Sequence, residues 1–122
     1  MITPFLANIS EEILDDLKNR IKNTRWPDEI NNSSWSYGTN LSFTKKLSNY
    51  WLNSFDWRKV ETEINSYPNF IATIEDYEIH FMHIKGKGKK SIPLIITHGW
   101  PGSFLEMMKL IPLLTEDKDV SF

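Results

Sequence analysis

Seven consecutive residues carry most of the chemistry legible in this 122-residue chain: Thr97-His98-Gly99-Trp100-Pro101-Gly102-Ser103. They follow an apolar run, Ile92 to Thr97, that suits a buried strand. They precede a segment in which Ser103 can cap a helix bearing Phe104, Met107, Met108, Ile111 and Leu114. Backbone N–H groups at the amino end of a helix have no partner within it, so such a turn can stabilise an anion or a developing oxyanion. Gly99 and Gly102 permit unusual dihedrals, and Pro101 holds a fixed φ and offers no N–H. The same residues also make a tight strand-to-helix connection with no further role. The full string directly after a buried strand favours the site reading. His98 reads as a brace that hydrogen-bonds the turn, not as a base.

Other reactive residue types lead less far. His80 and His83 lie three apart on an expected strand and so face opposite ways, which excludes a shared metal site. The loop Gly86-Lys87-Gly88-Lys89-Lys90-Ser91 lacks the glycine spacing of a phosphate loop and leads into strand instead of helix. No aromatic residues interleave with its lysines for base stacking. Asp15 and Asp16 fall on a polar helix face, and Asp28, Asp56 and Glu61 read as caps or partners of Arg25 and Arg58. No serine stands in a nucleophile-elbow pattern, and cysteine is absent. Half of a catalytic site is visible, the stabilising half, without an attacking group.

The elements that must position that turn follow from periodicity. Ser10 caps a helix to about Ile21, with Ile13, Leu14, Leu17 and Ile21 at helical spacing. Asn31 to Asn40 reads as loop, and a second helix starts at Ser42 with Phe43, Leu47, Tyr50 and Trp51 on one side. Asp56 caps a third, carrying Trp57, Val60 and Ile64, that stops at Tyr67-Pro68. Phe70–Ile74 and Tyr77–Ile84 then read as strands joined at Glu75-Asp76. Charged residues number 14 basic and 16 acidic, a net charge of −2, which argues against a dedicated nucleic-acid binder. No apolar stretch approaches the length of a membrane span, the amino terminus does not read as a secretory signal, and the expected compartment is the cytoplasm.

The chain resembles the amino-terminal region of the epoxide hydrolases related to microsomal and juvenile-hormone epoxide hydrolase. The resemblance runs from about Phe5 to Leu114 and rests on several motifs in order. These are Thr24-Arg25-Trp26-Pro27-Asp28-Glu29, Tyr50-Trp51, Phe55-Asp56-Trp57-Arg58 with Glu61, Ile79-His80-Phe81, and the run from Thr97 to Ser103. It implies a partial α/β-hydrolase fold: an epoxide-hydrolase N-terminal-like domain at 2–114. A helical meander over 1–66 would precede a β-hairpin, a core strand and the first core helix over 67–122. In that family an aspartate opens the epoxide to give an ester, lid tyrosines polarise the epoxide oxygen, and a histidine with an acidic partner activates water. The resemblance assigns the oxyanion donor to the backbone N–H of Trp100, with His98, Gly99 and Pro101 supporting the turn.

The resemblance further implies a small-molecule epoxide as substrate, no cofactor, no metal, no nucleic acid, and a role in aromatic-hydrocarbon catabolism or detoxification. The chain stops at Val120-Ser121-Phe122, before the segments that bear the family's nucleophile and catalytic histidine. The expectation is therefore a fragment that is inactive alone, with an exposed sheet edge open to association. The alternative is a non-catalytic binding module, or one half of a split enzyme, that docks a partner chain. A nucleotide or RNA binder built on the lysine loop is a distant third.

Overall fold

The computed structural model describes residues 1–31 and 33–116, together with the backbone of residues 120–121. The chain divides into two compact units, one formed by Asn8–Val60 and the other by Met1–Ala7 with Glu61–Phe122. No described helix is long and apolar enough to cross a membrane.

The first unit is helical because its polar caps and apolar stripes agree. Helix α1 spans Glu11–Lys22, and the Ser10 hydroxyl accepts the Ile13 N–H at 3.4 Å. Glu11 and Glu12 lie in its first turn, Arg20 and Lys22 in its last, each sign matching the helix dipole. Helix α2 spans Leu41–Asn53. It begins one residue ahead of the expected Ser42, because Asn40 Oδ1 accepts the Phe43 N–H at 2.9 Å and Glu29 Oε1 accepts that of Leu41 at 2.8 Å. Helix α3, Trp57–Asn65, starts in this unit with Asp56 Oδ1 accepting the Arg58 N–H at 3.0 Å. The Arg58 guanidinium ties it back, donating to the Ile9 carbonyl at 2.8 Å and pairing with the Glu11 carboxylate.

The second unit is built on an antiparallel sheet of order β1-β2-β3. Its strands are β1 (Ile2–Phe5), β2 (Asn69–Ile74) and β3 (Tyr77–Met82). The β2–β3 hairpin turns at Glu75-Asp76 as its sequence implies, with Ile74 opposite Tyr77. Strand β1 was not evident from periodicity: it is short and contains Pro4, which only an edge strand tolerates. Its register places Phe5 opposite Asn69 and Ile2 opposite Ala72. Asn65 pins its exit with two hydrogen bonds of 2.8 Å to the backbone of Ala7.

Register sorts the sheet into two faces. Phe5, Asn69, Ile71 and His80 share one, and Ile2, Phe70, Ala72, Ile79 and Phe81 share the other. On the second face Phe70 stacks on Phe81 at 5.5 Å, while Ile2 and Ile79 stay exposed. Among the described residues of the unit, Ile64, Met108, Glu61, Asn69 and Thr115 are buried.

Two expected elements come out differently. Ile92–Thr97 belongs to no ladder, and its residues are exposed. Only Lys90–Ser91 just before it (β4) forms a parallel pair, with Val120–Ser121 (β5). A parallel strand exists only where neighbours take its backbone hydrogen bonds, and none of the described residues flanks 92–97. The expected continuous helix after Ser103 is instead a 3₁₀ turn, Phe104–Met107, followed by the short helix α4, Ile111–Thr115. Pro112 is the reason: it has no N–H to return to Met108, so it sits in the first turn of a new helix.

Candidate functional site

The run His98 to Ser103 forms a closed turn. The Gly102 N–H donates to the Gly99 carbonyl at 2.7 Å, and the Trp100–Pro101 peptide is cis, which makes this a type VI turn. His98 Nδ1 lies 3.1 Å from the same Gly99 carbonyl, an acceptor, so Nδ1 carries the proton and donates. One carbonyl thus gathers two donors and braces the turn from inside. Neither Gly99 nor Gly102 occupies the left-handed region; among the described glycines only Gly38 does, at φ 129°. The dihedral freedom expected of Gly99 and Gly102 is therefore unused. Gly102 matters for space instead, since a Cβ there would stand 2.7 Å from the Glu106 carboxylate. No atom lies within 4 Å of a Cβ built on Gly99.

Beyond the turn, Ser103 takes up its capping role, with Oγ accepting the Leu105 N–H at 3.3 Å and its carbonyl accepting that of Glu106 at 3.1 Å. Trp100 stands at the apex, 95% exposed. Among the described residues nothing accepts its backbone N–H. The arrangement presents the Trp100 N–H, without an acceptor among the described residues, at the tip of a turn closed by the Gly102–Gly99 hydrogen bond. Such a donor can bind a carboxylate, a phosphate or an oxyanion, but it cannot attack anything.

A second polar cluster was not singled out in the sequence for any role. Asn69, buried in β2, donates through Nδ2 to the carbonyls of Ile64 at 2.8 Å and Tyr67 at 2.7 Å. That fixes its Oδ1 as acceptor for His80 Nε2–H at 2.9 Å. The His80 ring meets Phe5 edge-on at 5.2 Å and Phe104 at 4.9 Å. Burial lowers the His80 pKa below its ordinary value. The alternation of Ile79-His80-Phe81 shows which face His80 takes, but nothing in the sequence reveals that Phe104 meets it there. His83 lies beyond the end of β3 and is exposed, and no metal-binding cluster occurs among the described residues. In the lysine loop, Lys87 is engaged by the Glu116 carboxylate at 2.7 Å.

These features meet in a known class, the α/β-hydrolases, here represented in part by helices and a small antiparallel sheet. A family profile described as "Epoxide hydrolase N terminus" matches residues 2–107. The chain is 42% identical to a putative epoxide hydrolase of Stigmatella aurantiaca, over 94% of its own length and 26% of the relative's. It is 43% identical to epoxide hydrolase 1 of Sus scrofa, over 97% of this chain and 27% of that one. The crystal structure of juvenile hormone epoxide hydrolase from the silkworm Bombyx mori superposes with a TM-score of 0.88 at 33% identity, covering 99% of this chain and 34% of that one. The chain belongs to the epoxide hydrolase family, whose amino-terminal part it matches. It spans about a quarter of the length of the two sequence relatives.

Proposed function

We propose that these residues form the amino-terminal portion of an epoxide hydrolase and that the Trp100 N–H is one donor of its oxyanion hole. The observation that carries this reading is the open amide at an exposed apex, within a turn that consumes its own Gly99 carbonyl and Gly102 N–H. In the reaction, a carboxylate from the remainder of the enzyme attacks an epoxide carbon, the C–O bond breaks, a lid tyrosine of that remainder gives its proton to the released oxygen, and a hydroxy ester forms. Water, activated by a histidine of that same remainder, then adds to the ester carbonyl. The negative charge that collects on the former carbonyl oxygen is what the Trp100 N–H meets. Collapse releases the vicinal diol and restores the carboxylate. His98, Gly99 and Pro101 hold the turn and touch no reacting atom. Neither cofactor nor metal enters these steps. Small epoxides are the substrate class, and clearing such electrophiles, including those from aromatic hydrocarbons, is the role that fits the chemistry.

The test joins residues 1–122 to the remaining part of the Stigmatella aurantiaca relative and replaces Trp100 by its α-hydroxy acid counterpart, turning the N–H into an ester oxygen. A lost oxyanion donor costs about 3–4 kcal/mol, so kcat should fall roughly 100- to 1,000-fold. An unchanged kcat refutes the assignment. The 122-residue chain alone should form no diol above the buffer rate.

A second reading is favoured by the exposed, unpaired Ile92–Thr97 segment. An apolar extended segment of this kind offers its backbone to a strand from another polypeptide, as a split enzyme or a docking module requires.

A further inference from the structure

The approach to the turn through residues 92–99 is exposed and carries no ladder hydrogen bond among the described residues. The position of Trp100 must therefore be set from the other side. Phe104 follows the turn directly, and its ring meets His80 at 4.9 Å. The link is short and stiff: from Phe104 through the Ser103 cap to the Gly102 N–H, and across 2.7 Å to the Gly99 carbonyl on the near side of Trp100. Within the sheet, His80 donates its Nε2–H to Asn69 Oδ1 at 2.9 Å and meets the Phe5 ring edge-on at 5.2 Å. Asn69 is in turn held by two carbonyls, those of Ile64 at the end of α3 and Tyr67 just after it.

We propose that His80 is a positioning residue: its ring clamps Phe104 and thereby sets where the Trp100 amide points. The inference rests on the reading of Trp100 as an oxyanion donor for its catalytic meaning, yet its structural content stands apart. His80 touches neither substrate nor reacting atoms. Two of its contacts have separable jobs. The hydrogen bond to Asn69 belongs to the sheet, and the ring contact with Phe104 belongs to the turn.

That separation supplies the experiment, made on the 122-residue chain without substrate. His80→Gln keeps an N–H for Asn69 Oδ1 and removes the ring. His80→Phe keeps a ring and removes the N–H. Amide hydrogen exchange at Gly102, whose N–H closes the turn, and the urea midpoint of the whole chain are the paired readouts. In His80→Gln, Gly102 should exchange about 2- to 10-fold faster, the range an aromatic contact spans, with the urea midpoint nearly unchanged. In His80→Phe, Gly102 protection should persist while the midpoint drops. Phe104→Ala should reproduce the Gly102 change, and adding His80→Gln to it should bring no further acceleration. If Gly102 exchange instead follows overall stability through every variant, or ignores His80→Gln, the proposal is overturned. Should His80→Gln loosen Gly102 while the ester substitution at Trp100 leaves kcat intact, the clamp stands and the oxyanion assignment falls.

Discussion

At the scale of single residues, the unit containing the turn depends on polar side chains that act as backbone partners. Asn69 satisfies two carbonyls and a histidine N–H from one buried position, and Asn65 mimics a strand neighbour for Ala7. Their amide types were plain in the sequence, but which carbonyls they would reach was not, since Asn65 and Ala7 lie 58 positions apart. His80 makes this network sensitive to pH. Burial favours its neutral form and holds its folded pKa below the ordinary 6.5. As pH falls through 6.5 the unfolded chain takes up the proton first, so the folded state binds fewer protons and stability falls with pH. The urea midpoint should therefore decline as pH drops from above 6.5 toward the lower folded value, and then level off as far as this residue is concerned. His80→Gln should remove that component of the slope; an identical profile in the variant would assign the titration to another group.

At the scale of elements, the helices were legible because cap and stripe coincide. Ser10 and Asp56 each stop a loop with a side-chain oxygen on a backbone N–H, a rule that needs only neighbours in sequence, and Asn40 does the same for α2 ahead of its expected start. The hairpin was legible for the same reason, though its turn carries a cost. Glu75 adopts φ 54°, a left-handed conformation that disfavours any residue with a Cβ. Glu75→Gly should raise stability by about 0.5–1 kcal/mol, the strain relief exceeding the added chain entropy of glycine. Thermal or urea denaturation will read this directly, and a loss of stability would show that the Glu75 side chain contributes more than its backbone costs. Strand β1 escaped notice because its evidence is a partner, β2, more than sixty residues away. The segment 92–97 shows the converse: its composition suits a strand, yet without flanking backbone it forms none.

At the scale of the molecule, the segment 92–97 exposes four large apolar side chains in succession along one stretch of backbone, Ile92, Leu94, Ile95 and Ile96. Ile95 is 89% exposed, and Leu94 and Ile96 flank it, also exposed. Strand-forming apolar backbone of this kind pairs with copies of itself when nothing else covers it. The chain should therefore associate with rising concentration in sedimentation, and Ile95→Lys should return it toward monomer, since a charge on that segment opposes packing. A concentration-independent monomer in the unsubstituted chain would mean that this surface is inert. What the amino-acid sequence by itself determined was local: the existence of the first three helices, the hairpin, the turn residues around Trp100 and the family they belong to. All of these follow from spacing, capping and turn chemistry within a few residues. Only the tertiary structure decided which groups meet across long separations, namely β1 on β2, Asn69 on His80, and His80 on Phe104. Contacts of that kind depend on chain closure and packing, which no short stretch of sequence encodes.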